Sequence, residues 1–196
     1  MEIWLARHGE TEWSRDGRHT SITDVPLTPD GERAARALAG VLGSHRFDRV
    51  LTSPMRRARD TASLSGYGER MEVSDLLFEY RYGDYEGRTR AEIRARRPGW
   101  DLWRDGCPGG DTTAAVAARA ERLLALIEGS SGDVLLFGHG HLLRVLAARY
   151  VGLRAERARH LKLDAGSVSV LGHEHEWPAI TWWNRPIGDG AVGGRP

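Results

Sequence analysis

The chain alternates between short runs of consecutive apolar residues and longer stretches with helical periodicity. Ile3-Trp4-Leu5-Ala6 reads as a buried strand, and Asp133-Val134-Leu135-Leu136-Phe137 is the clearest buried strand in the chain. Residues 49–52 and 71–73 predict two more short strands. Thr28-Pro29 marks a helix start, with Thr28 as N-cap and Pro29 at the first helical position. That helix is expected to run to about Leu42, with Ala34, Leu38, Val41 and Leu42 inward and Gly43 ending it. Ser53-Pro54 opens a second helix to about Ser65, followed by a turn at 66–68. Residues 89–97 predict a short helix closed by Pro98-Gly99. Asp111 is expected to cap an amphipathic helix to about Glu128, with an apolar stripe of Val116, Ala120, Leu123, Leu124 and Ile127. The 133–137 strand leads through Gly138-His139-Gly140-His141 into a helix ending near Tyr150, and residues 167–171 and 179–183 predict a closing hairpin. The segment 12–29 is polar and turn-rich, and irregular chain of this length is more often functional than idle; 76–87 is aromatic and acidic, and 100–110 reads as a loop. From Ile187 onward the chain is Gly-rich and is expected to be a disordered tail, 187–196. Strands alternating with helices predict a single α/β domain over residues 1–186, with a mostly parallel central sheet flanked by helices on both faces.

Composition narrows the class. The 196 residues are long enough for one real core. A net charge of +1 gives no support for nucleic-acid or membrane binding. Of the 28 Lys and Arg residues only Lys162 is a lysine. Most of the arginines read as solvated surface, yet arginine is also the better bidentate phosphate ligand. Cys107 is the only cysteine, so no intramolecular disulfide and no cysteine zinc site is available. No signal-like region precedes the first strand and no apolar run approaches a membrane span. A cytoplasmic protein is expected, with export by a signal outside this sequence as the runner-up.

Three strand-to-helix junctions carry candidate chemistry. His8 follows the first strand beside Arg7, His139 follows the 133–137 strand, and Ser53-Pro54-Met55-Arg56-Arg57-Ala58 follows the strand at 49–52. Open α/β sheets place ligands at the carboxyl ends of their strands, so the three junctions can share one crevice. A lone loop histidine is usually a polar surface residue; three junctions at one edge carry more weight. His173 and His175 share a strand face, but with no third ligand in range they read as solvated, and no metal site is expected. Trp100, Trp103, Trp177, Trp182 and Trp183 read mostly as core and rim.

The sequence resembles the histidine phosphatase superfamily, also called phosphoglycerate mutase-like. The matching stretches are Leu5-Ala6-Arg7-His8-Gly9-Glu10-Thr11, Ser53 to Ala62, Leu77 to Gly87 (with Glu79) and Gly138-His139-Gly140, in the family's order. The resemblance implies that His8 attacks the phosphorus of a phosphomonoester and forms a phosphohistidine. Arg7, Arg57 and His139 would hold the non-bridging oxygens, and Glu79 would be the general acid, then base, and so partly buried. Arg56, Arg59, Asp75, Asp84 and Glu86 compete with these and read as surface or structural. By motif register Ser14, Thr20 and Ser21 fall near the phosphate, Tyr82 is a pocket wall and Gly140 offers a backbone N–H at a helix start. Ser14 stands where mutases have Asn. His141 either contacts substrate or caps the helix. Trp100 and Trp103 lie in the loop that the family uses as a lid.

The resemblance implies no cofactor and no metal, with the arginines serving as the cations. The stretch at 17–28 and the compact 87–111 segment are similar to the acid-phosphatase and sugar-bisphosphatase branch. Hydrolysis of a small phosphorylated substrate, such as a sugar phosphate, is therefore the expected activity. Phosphoglycerate mutase-type transfer and a catalytically weak phospho-ligand-binding regulator are the alternatives. No nucleic-acid or membrane partner is expected, and homo-oligomerisation is left open.

Overall fold

A computed structural model describes residues 1–186; the expected tail lies outside the described residues. One six-stranded sheet organises the chain in the order β3-β2-β4-β1-β5-β6. Its strands are β1 (Ile3–Arg7), β2 (Arg49–Thr52), β3 (Met71–Val73), β4 (Val134–Gly138), β5 (Val168–Glu174) and β6 (Trp177–Arg185). The first four are mutually parallel, and β5 and β6 run antiparallel at one side. The closing hairpin is longer at both strands than periodicity predicts.

Both faces of the sheet are covered, which is why β1 and β4 read as continuous apolar runs rather than alternating ones. Ile3, Leu5, Val134 and Leu136 pack into one core layer with α6 (Thr113–Glu128) and α7 (Gly140–Tyr150). Trp4, Ala6, Leu135 and Phe137 face the other way, against Leu38 and Leu42 of α2 (Pro29–Leu42). Thr28 caps α2 by accepting from the Gly31 N–H, as expected. The buried positions of α2 are Gly31, Ala35, Leu38 and Leu42, so Ala35 replaces the expected Ala34. Gly31 is required for packing: a Cβ there would sit 2.2 Å from the Glu10 carbonyl oxygen, and one on Gly9 would sit 2.4 Å from the Gly31 oxygen. The residue after His8 is glycine because α2 rests directly on that loop.

Several boundaries differ from expectation for identifiable reasons. Residues 12–15 form a one-turn helix, α1 (Glu12–Arg15), closed by a capping box between Thr11 and Ser14. The helix expected from Ser53 starts later, as α3 (Arg56–Ala62), because the Ser53 hydroxyl is engaged with the Met55 N–H and with His139. The chain then kinks within Ser63–Tyr67, where Gly66 takes the left-handed region at φ +94°. α4 (Arg90–Arg96) is as predicted, and the 100–110 loop contains α5 (Leu102–Asp105). Thr112, not Asp111, caps α6. The Asp111 carboxylate instead accepts from the Arg81 N–H and pairs with Arg119 at 3.0 Å. Among the described residues no helix is long and apolar enough to cross a membrane.

Candidate active site

The register of the sheet brings the junctions together. Arg7 on β1 pairs with Gly138 on β4, and Thr52 on β2 pairs with Phe137. The next residues, His8, His139 and Ser53, therefore leave the same sheet edge side by side. The His8 and His139 rings lie 5.2 Å apart at 60°. His8 is 5 % exposed, Glu79 4 %, and Arg57 and His139 are fully buried.

The His8 ring is held in one tautomer. Its Nδ1 lies 2.7 Å from the Gly9 carbonyl, which can only accept, so Nδ1 carries the proton and Nε2 carries a lone pair. Burial, then the charges of Arg57 and Arg7, hold its pKa well below the usual histidine value, so the ring is neutral. His139 is also neutral, by burial and then by Arg57, His8 and Arg7. Its Nε2 lies 2.7 Å from Ser53 Oγ, and that oxygen already accepts from the Met55 N–H. Nε2 is the one acceptor within reach of the Ser53 hydroxyl proton among the described residues, so that proton points at Nε2, which puts the imidazole proton on Nδ1. His139 Nδ1 has no partner among the described residues.

Two guanidiniums complete the cluster. Arg57 is held by three backbone carbonyls of the 20–23 loop: Thr23 at 3.1 Å, Thr20 at 3.3 Å and Ser21 at 3.0 Å. Arg7 donates to the Leu163 carbonyl and packs over Gly140, where a Cβ would sit 3.3 Å from its Cζ. Gly140 thus makes room for Arg7. Neither arginine has a carboxylate within ion-pairing distance among the described residues, and the Nε of each is buried without a partner. A buried cation without a counter-ion is costly, and an anion between these groups removes the cost.

Glu79 lines the same cavity as Arg7 and His8. Its Oε1 accepts from the Tyr80 and Leu142 N–H groups and its Oε2 from the His141 N–H, at 2.8, 2.8 and 3.0 Å. At the N-terminus of α7 this carboxylate takes the His141 and Leu142 N–H groups, while the Gly140 N–H, expected to face an anion, is not among its donors. Arg119 fixes the Glu79 backbone by donating to its carbonyl while paired with Asp111.

Arg7, His8, Glu79 and Gly140 line one cavity of about 160 Å³ with Ser14, Thr20, Tyr82 and His141. Ser21 is not brought to it. The Ser21 hydroxyl and N–H are both bound to Glu86, and only its carbonyl contributes, through Arg57. The Ser14 hydroxyl borders the cavity but is committed to the capping box with Thr11. Glu86 is structural, also accepting from the Thr23 N–H, and Asp75 and Asp84 are exposed. Sequence reasoning missed five further wall residues, Gly17, Arg18, His19, Arg144 and Leu163. Trp100 and Trp103 are buried behind the wall, not poised over it: Trp100 packs on His19 and Trp103 on His141. Away from the cavity, Glu2, His45 and Asp133 lie close enough to share a metal ion, while His45 already pairs with Asp133 at 2.7 Å.

The Ser53 contact is testable. Ser53→Ala leaves both tautomers open to His139, so kcat is expected to fall by up to the roughly 10²–10³-fold that loss of one preorganised donor costs, with KM little changed. An unaltered kcat would show that Ser53 does not set the tautomer.

An open α/β sheet whose carboxyl edge gathers two neutral imidazoles, two buried guanidiniums and a carboxylate defines an anion-handling α/β enzyme. The chain belongs to the histidine phosphatase superfamily (branch 1), which it matches over residues 3–186, and it is a hydrolase of that family. It is 42 % identical over 177 residues to an acid phosphatase of Mycobacterium tuberculosis, covering 88 % of this chain and 87 % of that one. To the sedoheptulose 1,7-bisphosphatase of Saccharomyces cerevisiae it is 34 % identical, covering 87 % of each. The solved structure of Rv3214 from Mycobacterium tuberculosis superposes with a TM-score of 0.91 at 38 % identity, over 95 % of this chain and 98 % of that one. Mycobacterial glucosyl-3-phosphoglycerate phosphatase superposes at 0.83 with 29 % identity, over 94 % and 98 %.

Proposed function

We propose that the protein hydrolyses a small phosphorylated metabolite, of sugar-phosphate type, through a covalent phosphohistidine on His8. One observation carries this reading. Three buried nitrogens without protein partners, Arg7 Nε, Arg57 Nε and His139 Nδ1, belong to side chains that neighbour His8: the His139 ring lies 5.2 Å from the His8 ring, and the charges of Arg57 and Arg7 act on it. Each is a donor, and together they suit the non-bridging oxygens of a phosphoryl group. The relative named as a sedoheptulose 1,7-bisphosphatase supports the sugar-phosphate class, and the neighbour named as a glucosyl-3-phosphoglycerate phosphatase supports a small phosphorylated metabolite.

In the first step the His8 Nε2 lone pair forms the N–P bond. The ester P–O bond breaks, its electron pair leaves with the alkoxide, and Glu79 supplies that oxygen with a proton. The imidazole gains positive charge, which the Gly9 carbonyl at Nδ1–H stabilises. In the second step Glu79 takes a proton from water, the water oxygen bonds to phosphorus, and the N–P electron pair returns to Nε2. Inorganic phosphate is released. The cations in these steps are arginines, so the reading needs no metal.

The test is phosphate release from an aryl phosphate between acid and neutral pH. Only the neutral imidazole attacks, and the His8 pKa is held well below 6.5. The acid limb of kcat/KM assigned to this group is therefore expected below pH 6.5, with activity retained in mildly acidic buffer. Zero turnover across the range would overturn the reading, and an acid limb above 6.5 would remove the neutral-nucleophile assignment.

A further inference from the structure

The cavity wall beyond the phosphoryl-facing groups holds two histidines, and the structure fixes them in opposite tautomers. His19 is locked by its neighbours. Its N–H donates to the Arg88 carbonyl at 2.9 Å, its own carbonyl accepts from the Gly87 N–H at 2.8 Å, and Arg18 bridges Thr89. The ring Nδ1 lies 2.7 Å from the same Arg88 carbonyl. A carbonyl only accepts, so Nδ1 carries the proton. Burial chiefly lowers the His19 pKa, the ring is neutral, and Nε2 is a bare acceptor.

His141 has the complementary form. Its Nδ1 lies 2.6 Å from the Tyr82 hydroxyl. Burial raises the Tyr82 pKa well above its usual value, so the phenol keeps its proton, and among the described residues His141 Nδ1 is the one acceptor within reach of that proton. Burial, then Arg144, holds His141 neutral, so Nε2 carries the proton and is a donor. Trp103 backs the ring at 5.2 Å, and Arg144 lies 4.7 Å over Trp103. The two imidazoles are parallel within 3°, with centroids 6.3 Å apart, and both line the cavity. Neither Nε2 has a protein hydrogen-bond partner among the described residues, and neither is sealed from solvent.

We propose that His19 and His141 form a hydroxyl-reading pair that binds the leaving group of a polyol phosphomonoester. His19 Nε2 accepts from one substrate hydroxyl, and His141 Nε2–H donates to another. The inference rests on the phosphatase reading above and names what that site selects. A hydroxyl both donates and accepts, so a polyol satisfies both nitrogens. A carboxylate or second phosphate would be drawn to Arg18 and Arg144 on the same wall, and on the pair itself would place its lone pairs against the His19 lone pair. An alkyl or aryl group would leave a partly buried donor and acceptor unmet, the situation in which enzymes discriminate most strongly. Tyr82 acts here as a positioning residue, since its hydroxyl sets the His141 tautomer.

The test compares sorbitol 6-phosphate with n-hexyl phosphate, primary esters of equal carbon count that differ in hydroxyls. The wild-type protein is expected to favour the polyol by about 10²-fold in kcat/KM. His141→Phe and His19→Phe keep an aromatic ring and lose the nitrogen; each is expected to cut that ratio about tenfold. His141→Asn, which still offers an N–H, should keep more of the ratio than His141→Phe. A general loss of structure lowers both substrates together and leaves the ratio unmoved. A wild-type ratio near one, or a ratio unchanged in both Phe variants when each keeps a wild-type thermal transition, overturns the hydroxyl-reading pair while aryl phosphate hydrolysis still stands. Failure of the wild-type protein on both esters and on p-nitrophenyl phosphate overturns the phosphatase reading and this inference with it.

Discussion

His8→Ala is expected to lower kcat on p-nitrophenyl phosphate by roughly 10⁵-fold or more, the scale seen when a nucleophile is removed from a covalent mechanism. Water cannot replace the nucleophile here without rearrangement. His8 Nε2 is the free nucleophilic nitrogen of the cluster, and its neighbours His139, Arg7 and Arg57 present N–H donors instead of a second nucleophile. The fold should survive, because the elements that place residue 8 bind through its backbone: its N–H donates to Gly138 and its carbonyl accepts from Gly166. A thermal transition close to wild type would therefore accompany the loss. A second readout separates nucleophile from phosphate ligand. Rapid acid-free quenching of the wild-type protein with labelled substrate should trap one acid-labile phosphoryl group per chain, as expected of a phosphoramidate, and the variant should trap none. Near wild-type turnover, or undiminished trapping, would sink the assignment.

What the sequence shows of this site depends on the range of the interactions involved. β1 and β4 are legible because both faces are buried and the apolar runs are unbroken. The α2 start is legible because Thr28 and Pro29 act on their own helix. Arg7, His8, Arg57, Glu79 and His139 stand out through a family resemblance, and the sheet register explains why distant junctions meet. The misplaced residues are those whose partners are far away in sequence. Ser21 has a hydroxyl that suits phosphate, yet Glu86, 65 residues on, takes it. Asp111 and Thr112 are both good caps, and Arg119 draws Asp111 away, leaving Thr112 to cap α6. The backbone carbonyls that hold Arg57 carry no sequence signal at all. His19 becomes a wall residue only because its segment zips onto 87–89, across 69 positions. Local capping and long apolar runs are visible in one dimension; the assignment of a shared partner among several competitors is not.

Glu79→Gln is expected to separate the two substrate types that His8→Ala cannot. On an alkyl phosphate the departing alkoxide needs a proton in the transition state, so kcat/KM should fall by about 10²–10⁴-fold. On p-nitrophenyl phosphate the phenolate leaves unassisted, and kcat/KM should fall by less than about tenfold. The choice of kcat/KM matters, since it covers only steps through leaving-group departure. Loss of the second role, activation of water, does not enter it. That loss should appear in the same variant as a burst of p-nitrophenol followed by a slow steady state, with the phosphoenzyme accumulating. The amide is nearly isosteric but imperfect. Its oxygen can keep the Tyr80 and Leu142 N–H bonds, while its NH₂ would face the His141 N–H that Oε2 now accepts. That mismatch perturbs both substrates equally and cannot produce the difference between them. Equal losses in kcat/KM on the alkyl and aryl esters would move the proton donor to another group.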